Sequence, residues 1–143
     1  MDTKVTQEQL FKTMEHWQKS ENETISLTGQ VIFKTDNPII RLVMEIIQRD
    51  SQAHFRVQQL IKESLQSKTV TLSPEELGKI WDLLERHVKI ERFLVENARD
   101  LLAKVKVSTM PVQTYLLDYL FQDEQKHDRL LEGLEKFKRG MYP

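Results

Sequence analysis

The chain has 143 residues, with 21 lysines and arginines against 22 aspartates and glutamates, and it contains no cysteine. A single domain of this length can bury a substantial core. The near-neutral charge favours neither nucleic acid nor an anionic membrane surface as a partner. The lack of cysteine excludes disulfides, thiolate metal ligands and a cysteine nucleophile. Because no apolar run approaches the length of a membrane span and no signal sequence is evident, we expect a cytoplasmic protein without a membrane partner.

The N-terminal quarter of the chain is predicted to be only partly helical. Residues 4–20 form a short first helix in this prediction, with Leu10, Met14 and Trp17 on its apolar side. Residues 20–36 are predicted to be a linker, and their strand-forming side chains favour an extended conformation. His16 lies on the polar side of the short helix, so we expect it to be solvated rather than to bind a ligand.

Three proline-marked starts predict three long helices of about 30 residues each. They are Asp36-Asn37-Pro38, with a helix to about Ser67; Ser73-Pro74-Glu75-Glu76, with a capping-box pattern and a helix to about Val107; and Thr109-Met110-Pro111, with a helix ending near Gly140. No strict sequence repeat is evident. We therefore predict an all-α antiparallel helical bundle that forms one domain over residues 1–143, with the short helix and linker in 1–36 and the core bundle in 37–140.

The apolar stripe of each long helix is interrupted once, near the middle of the helix. At each interruption a carboxylate and a histidine stand four residues apart, and the pairs are Asp50 and His54, His87 and Glu91, and Asp123 and His127. Chance places an acid four positions from a given histidine roughly three times in ten at this acid content. Three pairs for three histidines are therefore unexpected, and the spacing puts both members of each pair on one helix face.

The order of acid and histidine alternates along the chain. The first and third long helices carry the acid before the histidine, whereas the middle helix carries the histidine first. Because short turns make consecutive helices antiparallel, this inversion brings the three acids to one level and the three histidines to the next, about 6 Å away along the axis. We therefore predict that the six side chains converge in the core.

A mixed carboxylate and imidazole cluster favours iron, manganese or zinc over calcium or magnesium. Glu124 adds a fourth acid beside the third stripe and forms Glu124-Gln-Lys-His127. Burial of unpaired acids would cost several kcal/mol each, which favours a bound cation. The alternative is a metal-free helical interaction module, in which a hydrogen-bonded polar layer fixes the register of the helices.

The segments 49–54, 87–91 and 123–127 resemble the metal helices of ferritin-like, rubrerythrin-type bundles, and the resemblance covers about residues 37–140. That family typically supplies two Glu-x-x-His helices and two helices with a single glutamate. Only Glu124 and His127 have the full spacing here, because position 51 is a serine. Without cysteine, a rubredoxin-like iron centre is excluded.

The resemblance implies an iron site, mononuclear or di-iron, with manganese or zinc as alternatives. It further implies an oxidase, peroxidase or iron-handling role, and it leaves open whether the chain is an enzyme and which redox partner it uses. The predicted metal ligands are Asp50, His54, His87, Glu91, Asp123, Glu124 and His127.

A wide apolar surface predicts self-association. The middle long helix carries a second apolar stripe formed by Trp81, Val88, Val95 and Leu102. Three long helices beside a fourth of about 17 residues would leave half of one groove open. Either the short N-terminal helix and linker or a second subunit covers this surface, and we predict the second subunit, in a homodimer.

Overall fold

The computed structural model describes residues 2–67 and 70–140, and every regular element in those ranges is an α-helix. Helix α1 spans Thr3–Lys34, α2 spans Pro38–Gln66, α3 spans Pro74–Lys104 and α4 spans Pro111–Lys138. The predicted all-α class is confirmed. Within the described ranges, none of the helices combines the length and the apolar character needed to cross a membrane.

The three long helices begin where the sequence predicts. Asn37 Oδ1 accepts two backbone N–H groups of the first turn of α2, at 2.9 and 3.1 Å. Ser73 Oγ accepts the backbone N–H of Glu76 at 3.3 Å, and the Glu76 carboxylate accepts the backbone N–H of Ser73 at 3.1 Å. The predicted capping box is therefore confirmed. Prolines 38, 74 and 111 each occupy the first helical turn, where a missing N–H removes no intrahelical hydrogen bond.

Helix α1 is much longer than the sequence predicts. It contains 32 residues, so the predicted helix end near residue 20 and the linker over 20–36 are wrong. The segment 25–33 is helical and not extended. The length of α1 also removes one of the two reasons for a homodimer, the groove left half open beside a helix of about 17 residues. The homodimer itself stays a prediction.

The second half of α1 is helical because it packs along α2. Gln48 Nε2 donates to the carbonyl of Ile25 at 3.3 Å, and Arg41 donates to the carbonyl of Ile32 at 3.2 Å. The hydroxyl of Thr28 is buried and donates to a carbonyl one turn earlier at 2.9 Å. Weak helix propensity costs about 1 kcal/mol at Gly29 and at most about 0.7 kcal/mol at the other residues of this segment, and tertiary packing routinely outweighs such costs.

The chain divides into two compact units, residues 1–71 and 72–143. In the first unit, α1 and α2 pack against each other and are joined by residues 35–37. Lys62 Nζ lies 5.1 Å from the ring centre of Phe11, whereas Arg41 contacts Ile32. Residues of increasing number on α1 contact residues of decreasing number on α2, which is the pattern of a helical hairpin.

The second unit is also a helical hairpin, formed by α3 and α4 and joined by residues 105–110. Lys138 Nζ lies 4.6 Å from the ring centre of Trp81, and the Arg99 guanidinium lies 5.6 Å from that of Phe121. The division at residues 71 and 72 does not coincide with the predicted boundary at 36 and 37. One domain over the whole chain and an antiparallel bundle of all helices stay predictions.

The interiors of the two hairpins differ in polarity. In the second unit the buried apolar side chains are Leu77, Val95, Ala98 and Leu131, and Glu91 is buried among the same helices. Among the described residues of the first unit, the buried ones are Met14, Gln18, Thr28, Ser51 and Gln58, of which only the methionine is apolar. The α1–α2 contact therefore buries more polar side chains than the α3–α4 contact, and Gln18 hydrogen-bonds across it to Phe55 and Gln59.

Candidate metal centre

Five of the seven predicted ligands lie together in the second unit. Helix α3 supplies His87 and Glu91, and helix α4 supplies Asp123, Glu124 and His127. Residues three or four positions apart on a helix share one face. The predicted ligands of α3 and those of α4 are therefore grouped on the faces where the two helices meet.

His127 is at the centre of this cluster. Its Nδ1 lies 3.4 Å from Oε1 of Glu91 and 3.4 Å from Oε2 of Glu124. Ligand atoms of these three residues all lie within 4.8 Å of one another. Two donors bound to one tetrahedral ion at about 2.1 Å are themselves about 3.4 Å apart. The spacing therefore matches a set of donors that shares one ion.

Asp123 contacts the opposite edge of the imidazole. Its Oδ2 lies 3.3 Å from Nε2 of His127, and its Oδ1 pairs with Lys126 Nζ at 2.8 Å. A carboxylate that accepts the Nε2–H of a histidine leaves Nδ1 with a free lone pair, which is the usual support for a metal-binding imidazole. This position suits Asp123 to orienting His127 rather than to direct ligation.

His87 holds the buried carboxylate of Glu91. Its Nε2 lies 2.8 Å from Oε1 of Glu91, one helical turn away. The Glu91 side chain is only 6% exposed, whereas the His87 side chain is 52% exposed. His87 therefore lies at the solvent edge of the cluster and not in its interior.

The two glutamates titrate differently because each responds to the other. Burial acts to raise the pKa of Glu91, but its interactions with Glu124 and His87 and the positive charge of His127 together hold that pKa below 4.5. The pKa of Glu124 is raised by its interaction with Glu91, by burial and by repulsion from neighbouring carboxylates. A proton on Glu124 relieves this repulsion, and a bound cation can do the same.

The other two predicted ligands, Asp50 and His54, lie on α2 in the first unit. His54 Nδ1 is 3.5 Å from Oε2 of Glu21, and the His54 side chain is 61% exposed. Asp50 is half-buried. The convergence of all three acid–histidine pairs stays a prediction.

Glu21 is a candidate site residue that the sequence analysis missed. The sequence predicts that the first helix ends at residue 20, which would place Glu21 in a linker. The signal was nevertheless present, since Leu10, Met14, Trp17 and Glu21 continue one three-four spacing. Glu21 is therefore the polar interruption of the α1 stripe, equivalent to the interruptions that identified the other helices.

Comparison with known protein families, with curated proteins and with solved structures found no match to this chain.

Proposed function

We propose that the chain binds a divalent transition-metal ion in the second unit, through Glu91, Glu124 and His127. One observation carries this proposal. Oε2 of Glu91 and Oε2 of Glu124 are buried, and neither meets a hydrogen-bond donor among the residues that the structure describes. A buried oxygen acceptor without a hydrogen-bond partner is unfavourable, so a cation at this position would offset the desolvation of both Oε2 atoms.

The donor set favours iron, manganese or zinc, because it combines one imidazole nitrogen with carboxylate oxygens. We propose iron on the resemblance of Glu124-Gln-Lys-His127 to ferritin-like metal helices. When bound, iron would supply one-electron redox chemistry, which supports an oxidase, peroxidase or iron-handling role. The protein's own contribution is to hold His127 through Asp123 and Glu91 through His87.

The metal-free interaction module remains the second candidate, because a specific set of contacts favours it. Glu91 Oε1 already pairs with His87, and Asp123 Oδ1 already pairs with Lys126. These contacts satisfy part of the polar layer without an ion. In that case the layer would fix the register of α3 against α4.

Metal titration of the purified chain separates the two candidates. The chain would be stripped with chelator and titrated anaerobically with Fe(II), and in parallel with Co(II) as a spectroscopic probe. We expect one tight equivalent per chain and a Co(II) absorption spectrum typical of mixed nitrogen and oxygen ligands. Glu124→Gln removes one anionic donor and should weaken that equivalent at least tenfold. Glu132→Gln is the matched control, because Glu132 is exposed on the same helix.

The outcomes are distinct. Tight binding that Glu124→Gln weakens and Glu132→Gln preserves supports the metal site. A parent chain that binds neither ion stoichiometrically, or a Glu124→Gln variant that binds as tightly as the parent, would overturn the proposal in favour of the structural polar layer.

A further inference from the structure

The two units share the same contact between a histidine and a glutamate. In the first unit His54 Nδ1 lies 3.5 Å from Glu21, and in the second His127 Nδ1 lies 3.4 Å from Glu91. In both cases the glutamate is on the first helix of the hairpin and the histidine on the second. Glu91 follows Glu21 by 70 positions, whereas His127 follows His54 by 73. The connecting segments, 35–37 and 105–110, differ by the same three residues.

The alignment set by this contact reveals a repeated sequence pattern. Both second helices begin with proline and carry Asp-x-Gln-x-His-x-Arg, at residues 50–56 of α2 and 123–129 of α4. Both first helices carry Glu-x-x-x-Lys-x-Glu, at residues 15–21 and 85–91. The identities fall at one offset for each pair of corresponding helices, 70 residues for α1 and α3 and 73 residues for α2 and α4. They include the glutamate and the histidine that form the shared contact.

One donor differs between the copies. Ser51 in the first unit occupies the position of Glu124 in the second. Ser51 is 5% exposed, so it faces the helix contact as a short side chain, where the second unit has a carboxylate. The first unit therefore retains the glutamate and the histidine of the three-donor set but lacks its third member.

The surroundings of the retained pair point to a ligand. Glu21, His54 and Gln58 line a cavity of about 460 Å³ in the first unit. Gln58 is 7% exposed, and its Oε1 is buried without a hydrogen-bond partner among the described residues. Oε2 of Glu21 is also buried without a hydrogen-bond partner among the described residues. Two buried oxygen acceptors beside an imidazole are suitable donors for a divalent cation.

We infer that the two units are copies of one metal-binding hairpin, and that the first copy keeps a weaker site for a divalent transition metal at Glu21 and His54 because Ser51 has replaced the third donor. This inference rests on the proposed function of the second unit. The chain accordingly binds one metal ion tightly and one weakly, with each ion inside its own hairpin.

Co(II) titration of the full chain tests whether the two sites differ in metal affinity. The parent should show a second equivalent that binds at least tenfold more weakly than the first. His54→Gln should abolish the second equivalent and leave the first intact, whereas His16→Gln, on the exposed face of α1, should change neither. Ser51→Glu should tighten the second equivalent at least tenfold, and Ser64→Glu, exposed on the same helix, should not.

Each outcome decides the question. If the parent binds one tight equivalent and His54→Gln has no effect on any weaker equivalent, the inference is overturned while the proposed function stands. If the parent binds no Co(II) tightly, both fail. Circular dichroism reports whether Ser51→Glu folds, and if it does not, the comparison of His54→Gln with His16→Gln decides alone.

Discussion

Ligand atoms of Glu91 on α3 and Glu124 on α4 lie within 4.8 Å of each other across the hairpin, although both groups are acids. The neighbouring Glu91 raises the pKa of Glu124, because two carboxylates at this distance repel each other. Protons and a metal ion therefore compete for the pair, which gives the cluster a measurable pH dependence.

Replacement of Glu124 by glutamine should stabilise the metal-free protein at neutral pH. Because the folded-state pKa of Glu124 is raised above 4.5, the parent loses stability as pH rises from 4.5 through that raised value. Glutamine stays neutral and can donate an N–H to Glu91, so we expect a gain of about 1 kcal/mol at pH 7 that disappears below pH 4.5.

Urea unfolding in the presence of chelator, at pH values from 4 to 8, measures this difference. Glu132→Gln serves as the control and should change stability little at any pH, because Glu132 is exposed. A Glu124→Gln variant that is clearly less stable than the parent at pH 7 would show that the ionised carboxylate is already paired inside the protein.

Removal of Asp123 should weaken metal binding without abolishing it. Asp123 contacts His127 at Nε2, away from the nitrogen that faces the two glutamates. Loss of such a supporting carboxylate typically lowers metal affinity about 10–100-fold. Asp123→Ala would be compared with Asp100→Ala, an exposed aspartate on α3, by competition with a chelating dye. A loss as complete as that of His127→Gln would instead make Asp123 a direct ligand, as the sequence predicts.

Gln58→Leu should stabilise the first unit. Gln58 occupies the position of Leu131 in the second unit, and its Oε1 is buried without a hydrogen-bond partner among the described residues. Removal of an unsatisfied buried acceptor should raise the free energy of unfolding by about 1–2 kcal/mol. Thermal unfolding would be compared with that of Gln52→Leu, whose side chain is exposed. If Gln58→Leu is less stable than the parent, the packing of the Gln58 amide stabilises the fold by more than the unsatisfied oxygen destabilises it.

Local features of the sequence determined the helix class, the helix starts to within a residue or two, and the five candidate ligands that lie together in the second unit. Asn37 and Ser73 cap their helices through contacts within one turn, so the information lies in neighbouring residues. The acid–histidine interruptions are equally local, because a four-residue spacing defines one helix face. The predictions that depended only on such short spacings, the three proline-marked starts and the capping box, are confirmed.

Only the tertiary structure decided how far α1 extends, which residue accompanies His54, and at which register the helices of the two units are compared. The second half of α1 is stabilised by α2, whose contacts no local propensity contains. Glu21 became recognisable as a site residue only once that helix was continuous. The patterns shared by the two halves do not align at one offset along the chain, because the loop at 105–110 is three residues longer than the loop at 35–37. A shift of this kind has no effect on contacts across a hairpin, since helix packing aligns residues in space and not along the chain.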